Sequence, residues 1–153
     1  MTSALLTVLG SGTSMGVPTL GCHCAVCESA DPCDRRTRPS VLLSYAGRNI
    51  VIDTTPDFRY QAMRARVDRL DAVVYTHAHA DHIMGLDDIR PFNIKQKSVV
   101  PIYAASDTLG VLRRQFSYIF EEAQPGSTLP LIEMREIDGP FDLFGLRLLP
   151  IPA

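Results

Sequence analysis

The hexapeptide His77-Ala78-His79-Ala80-Asp81-His82 begins two residues after the apolar run Asp71-Ala72-Val73-Val74-Tyr75. Three of the four histidines of the chain, together with an aspartate, stand in this one segment. Imidazole and carboxylate are good ligands for zinc, manganese or iron. On an extended or tightly turned loop, His77 and His79 project to the same side and can grip one ion. Asp81 and His82 then face a neighbouring position, giving the two partial sites that a two-metal hydrolase needs. Ala78 and Ala80 are small enough for the loop to close around the ions. A lone histidine in a loop is usually just an exposed side chain. Ligand type, spacing and the strand-to-loop setting together favour metal here.

Working outward from this segment, the chain reads as alternating strands and helices. Upstream, Leu5 to Leu9 is a buried strand, and Ser40 to Tyr45 with Asn49 to Asp53 forms a hairpin turning at Ala46-Gly47-Arg48. Pro56-Asp57 opens a helix to about Arg66, with Phe58, Ala62 and Ala65 on one face. Downstream, Gly85 to Arg90 is a short helix stopped by Pro91, and Val99 to Tyr103 is a strand. Ser106 to Phe120 carries Leu109, Leu112, Phe116 and Ile119 at helical spacing, with Ser106 as N-cap. Leu131 to Ile137, Phe141 to Phe144 and Leu146 to Ile151 are strand-like. The order predicts an α/β (α+β) protein.

The 153 residues suit one domain, 1–153, and a 46% hydrophobic content can build its core. A net charge of −2 gives no sign of nucleic-acid or membrane binding, so attraction for an anionic substrate must be local. No apolar run approaches the roughly 18 residues of a membrane span. The N-terminal stretch lacks a basic n-region, which makes the cytoplasm the expected location.

In that compartment the four cysteines need a reason other than disulfides. Cys22-His23-Cys24-Ala25-Val26-Cys27 places three thiols in six positions, enough for three corners of a tetrahedral zinc site. Free thiols or a disulfide are the alternatives; the cytoplasm disfavours a disulfide, and free thiols do not call for such clustering. The cysteines sit in a stretch of some 30 residues without periodicity, from Gly10 to Pro39, which is long for a compact domain. Structural zinc would explain how it stays ordered.

The histidine segment resembles the HxHxDH signature of the metallo-β-lactamase superfamily. Asn49-Ile50-Val51-Ile52-Asp53-Thr54 is similar to that superfamily's first motif, a strand ending in aspartate. The resemblance implies an αββα sandwich and a metal-dependent hydrolase. By position, His77 and His79 would bind the first catalytic ion, and Asp81 and His82 the second, with Asp53 in a supporting role. Asp81 would also be catalytic, orienting a hydroxide held between two zinc or manganese ions. Further upstream, Gly10-Ser11-Gly12-Thr13, Val17-Pro18 and the cysteine cluster resemble the phosphodiesterase branch associated with carbon–phosphorus lyase pathways. That branch acts on cyclic ribose phosphates and simple phosphodiesters, and its three cysteines, here Cys22, Cys24 and Cys27, hold a structural zinc with a distant histidine. Here Cys33 or His23 is a local candidate for that fourth corner.

The same resemblance places further metal ligands C-terminal to Ala153, so the sequence is expected to be the N-terminal portion of the sandwich and nearly inactive alone. An exposed sheet face is then expected, or a neighbouring chain covering it, as in a homodimer. The expected partner is a small phosphodiester. Rival readings are a tRNA 3′-processing nuclease, a lactone or thioester hydrolase, or a non-catalytic zinc-stabilised module. Among weaker signals, Arg35, Arg36 and Arg38 read either as a solvated edge or as phosphate contacts. Gly10-x-Gly12 reads as a tight turn, and Asp57 as a helix start or a brace for the metal loop.

Overall fold

The computed structural model describes residues 3–121 and 128–151. Pro152 and Ala153 lie outside the described residues. Six strands form one sheet: β1 (Ala4–Gly10), β2 (Ser40–Tyr45), β3 (Arg48–Ile52), β4 (Ala72–Val74), β5 (Val100–Ala104) and β6 (Ile132–Glu136), in sequence order. The first three pair antiparallel, and β3 to β6 run parallel. Four helices lie between the strands: α1 (Phe58–Arg64), α2 (Ala80–Ile83), α3 (Arg90–Gln96) and α4 (Ser106–Gln115). A separate hairpin, β7 (Phe141–Leu143) with β8 (Leu146–Leu148), completes the described elements.

Strand periodicity sorts the side chains onto two faces. Leu9, Leu42, Val51, Val73 and Ile102 point to the helix side, where Phe58, Ile83, Leu86, Ile89 and Leu112 cover them. Ile50, Ala72 and Tyr103 point the other way, against Leu143 and the rest of the β7–β8 hairpin. The hairpin covers only part of that second face. Leu6 and Val8 of β1, in register with Leu43 and Val41, stay 61% and 56% exposed. The structure is therefore a helix layer on one face of a six-stranded sheet, with a two-stranded hairpin on part of the other.

Several local expectations are corrected. The β2–β3 turn is Ala46-Gly47 alone, both at positive φ (49° and 73°), while Arg48 pairs with Tyr45. This is the type I′ pattern that matches strand twist. The short helix expected over Gly85 to Arg90 forms as a 3₁₀ helix at Leu86–Ile89, but Pro91 does not end the helical run, which continues into α3. Pro91 occupies the first turn of α3, where its missing N–H costs nothing. The helix assigned to 106–120 ends at Gln115 and gives way to a 3₁₀ turn at Ser117–Ile119. Its N-cap is Ala105, without a side-chain cap bond. Ser106 lies one residue inside.

The long segment after β1 is closed by its own ends. Gly12 N–H donates to Thr37 O, and Val17 and Arg36 exchange two backbone hydrogen bonds. The approach is so close that a Cβ on Gly10 would lie 1.9 Å from Arg38 O. Arg38 donates through its backbone N–H and its guanidinium to Asp57, and through Nε to Ser14 O. Arg38 is thus spent on the loop base and Asp57 on holding Arg38. Arg35 and Arg36 are exposed. Between the zipped ends, the cysteine segment projects outward.

Candidate metal centres

Strand β3 ends at Ile52, and the next residue, Asp53, turns into the left-handed region at φ 62°. An aspartate tolerates this better than most residues, though at a cost. Ser40 Oγ donates to Asp53 O at 2.8 Å, and Asp53 N–H donates to Val74 O at 3.0 Å, so the turn is held from both neighbouring strands. The result is a carboxylate only 4% exposed, aimed along the C-terminal end of β4. There it accepts three hydrogen bonds: Thr76 N–H to Oδ1 at 2.8 Å, Thr76 Oγ1–H to Oδ2 at 2.7 Å, and His82 Nδ1–H to Oδ2 at 2.7 Å.

The histidine segment runs from that strand end into α2. His79 occupies the N-cap with extended backbone, and Asp81 and His82 lie in the helical turn. One turn of helix has no stability of its own. It is anchored by Ile83, which is 1% exposed, by the fully buried Leu86, and by the His82–Asp53 contact. Gly85 lets the following chain pass against Thr54 and Thr55, where its N–H donates to Thr54 O.

The three imidazoles gather. The His77 ring centroid lies 4.6 Å from that of His79 and 4.0 Å from that of His82. His82 Nε2 stands 3.3 Å from Asp81 Oδ2. That separation matches neighbouring corners around a tetrahedral ion with bonds of about 2.0–2.2 Å. Partial burial first, then the adjacent His82 and His79 rings, hold the His77 imidazole below its ordinary pKa. A neutral imidazole is the form that binds metal. These donor types, imidazole and carboxylate, suit divalent ions.

The second cluster is tighter. The Sγ atoms of Cys22, Cys24 and Cys27 all lie within 4.8 Å of one another, the one such trio of His, Cys, Asp or Glu ligand atoms among the described residues. A hydrogen bond from the Cys27 backbone N–H, followed by those from the Cys22 and Cys27 thiols, lowers the Cys24 thiol to about 7. At Cys27 the Thr19 N–H pulls downward, yet the neighbouring thiols and burial together raise its value. A lowered thiol among converging sulfurs suits a thiolate-ligated cation. His23 turns away to Glu28 at 3.0 Å, and Cys33 N–H is engaged by Asp31; neither joins the trio.

The sequence reading missed Thr76. It sits immediately before the histidine motif, and only the fold shows its hydroxyl between Asp53 and His77. It also missed Asn93. That buried side chain ties α3 to Ser98 O and, through bonds in both directions, to the Leu131 backbone ahead of β6.

A mixed sheet with one helix layer, bearing a histidine-rich turn over a strand-end aspartate, defines the class of metallo-β-lactamase folds. Residues 48–153 match the family described as the beta-lactamase superfamily domain, and the chain belongs to that superfamily. A solved structure of a diphosphatase from the PhnP family is 50% identical, with a TM-score of 0.88; the match covers 99% of this chain and 58% of that one. A Porphyromonas gingivalis protein named octanoyltransferase is 45% identical over 147 residues, 94% of this chain and 29% of that protein. A ribonuclease Z of Bradyrhizobium diazoefficiens is 32% identical over 90 residues, 56% of this chain and 30% of that protein. The chain thus spans less than a third of either curated relative. The octanoyltransferase name belongs to a protein more than three times the matched length. Among the described residues no helix is long and apolar enough to cross a membrane.

Proposed function

We propose that this chain is the N-terminal portion, carrying the first metal ligands, of a metal-dependent phosphodiesterase acting on cyclic ribose phosphates or other small phosphodiesters. The observation that carries the reading is the gathering of His77, His79, His82 and Asp81 at the end of β4, above the buried Asp53 carboxylate. His77 and His79 form one half-site, and Asp81 and His82 the other. Residues beyond Ala153 supply the remaining ligands, a reading supported by the 58% coverage of the diphosphatase chain. Two divalent ions, zinc or manganese, would neutralise phosphate charge and lower the pKa of bound water. Asp81, whose Oδ2 lies 3.3 Å from His82 Nε2, would orient the attacking oxygen and accept its hydrogen bond. Asp53 and Thr76 hold the imidazoles in position. The cysteine trio holds a structural zinc that orders the projecting loop.

A second reading, a diphosphatase, is favoured by the 50% identity to the solved PhnP-family diphosphatase. It uses the same ligands on a phosphoanhydride. The test is a longer form of the protein, extending past Ala153 and loaded with zinc or manganese. It is offered bis-p-nitrophenyl phosphate, a ribose cyclic phosphate and a nucleoside diphosphate. Hydrolysis of the diesters supports the first reading, and cleavage of the diphosphate alone supports the second. His79→Ala and Asp81→Ala should each cost orders of magnitude in rate, because the ions act as a unit. Good hydrolysis of a lactone or thioester with every phosphate substrate intact would overturn the substrate class.

A further inference from the structure

We infer that Thr76 is a positioning residue that fixes the tautomer of His77, and that through it the single carboxylate of Asp53 orients one histidine in each half-site. The inference rests on the metal reading of the histidine motif.

The argument is a count of protons. A carboxylate only accepts hydrogen bonds, and a hydroxyl carries one proton. Thr76 Oγ1 lies 2.7 Å from Asp53 Oδ2, so its proton goes there. The same hydroxyl lies 3.0 Å from His77 Nδ1 and has only lone pairs left to offer. His77 Nδ1 therefore carries the proton and donates, leaving the Nε2 lone pair free. His82 reaches the same state directly, because its Nδ1 faces Asp53 Oδ2 at 2.7 Å. Both rings then present Nε2 to a cation, with the outer nitrogen held in place. Thr76 cannot swing away freely. Its own backbone N–H donates to Asp53 Oδ1 at 2.8 Å, so the backbone and the hydroxyl grip the two oxygens of one carboxylate. Asp53 serves the His82 half-site by contact and the His77 half-site through one intervening hydroxyl.

The test compares the wild type with Thr76→Val, which keeps the branched shape and removes the hydroxyl, and with Thr76→Ser, which restores it. In metal-free protein with 15N-labelled histidine, His77 should show the Nδ1–H tautomer in the wild type and in Thr76→Ser. In Thr76→Val it should show a mixture or the Nε2–H form, while His82 stays Nδ1–H. Manganese, which thiolates bind poorly, reports on the histidine sites without the cysteines. Its dissociation constant should rise about 10- to 100-fold in Thr76→Val and recover in Thr76→Ser. A thermal midpoint unchanged in Thr76→Val would support positioning over a general structural role. Unchanged tautomer and manganese affinity in Thr76→Val would overturn the assignment while leaving the metal reading intact. Unchanged manganese binding in His77→Ala would overturn the metal reading and the assignment with it.

Discussion

His82 Nδ1 lies 2.7 Å from Oδ2 of Asp53, a carboxylate 29 residues earlier in the chain and on a different strand end. Neither residue could hold the other in an unfolded chain. The parallel pairing of β3 with β4, Ile52 beside Val74, brings the two strand ends together.

Replacing Asp53 with asparagine tests that contact while sparing the backbone, because asparagine also accepts the left-handed conformation. The amide would set an N–H against either His82 Nδ1–H or the Thr76 backbone N–H, so one of the two contacts is lost in either orientation. Manganese affinity should fall about 10- to 100-fold at the histidine cluster. Titration followed by electron paramagnetic resonance measures it; an unchanged affinity would show that Asp53 serves only the fold.

Cys24→Ser should remove one equivalent of bound zinc and destabilise the projecting loop. A loss of about 2 kcal/mol would lower the thermal midpoint by roughly 4–8 °C for a chain of this size. Elemental analysis and calorimetry read both effects. Unaltered zinc content would sink the structural-zinc proposal.

Asp71 supplies a pH signature. Burial by itself would raise its pKa, but hydrogen bonds from Arg48, the Asn49 N–H and Arg69 outweigh it and hold the carboxyl below the usual range. A depressed folded value means that the ionised form stabilises the fold. The contribution is complete above the unfolded value of about 4 and is lost as pH falls through the folded one. Asp71→Asn should therefore be less stable than the wild type at pH 7, by about 1–2 kcal/mol given half-exposed arginine partners. The gap should close in acid. Urea midpoints between pH 7 and pH 3 measure it, and a gap constant with pH would contradict the assignment.

Gly85→Ala places a methyl 2.2 Å from Thr55 O and 2.9 Å from Phe58 Cβ. Both contacts belong to packed structure, so the turn after α2 must shift. A destabilisation of about 1–3 kcal/mol is expected, with weaker metal binding because α2 moves. Denaturant midpoints and a manganese titration check the two parts separately. An unperturbed midpoint would mean that the turn accommodates the methyl.

Much of the fold was legible because it rests on short-range patterning. Leu5 to Leu9, Ser40 to Tyr45 and Val99 to Tyr103 announce strands through apolar content. Phe58 with Ala62 and Leu109 with Leu112 announce helix faces. Boundaries failed where backbone rules compete. Pro91 reads as a stop until it is seen in the first turn of α3, where proline is favoured.

What the sequence by itself determined is ligand chemistry: three imidazoles and a carboxylate in one hexapeptide, and three thiols in another. Spacing this short survives any fold, so both clusters could be found without coordinates. What only the tertiary structure decided is orientation. The Asp53 carboxylate, the Thr76 hydroxyl and the Ser40 hydroxyl lie on three different segments, and their hydrogen bonds exist only once β2, β3 and β4 pair. The same holds for Arg38, whose charge reads as available for phosphate until the folded loop binds it to Asp57. Hydrogen bonds depend on distances of a few tenths of an ångström, and residues far apart in sequence acquire such distances only when the sheet assembles.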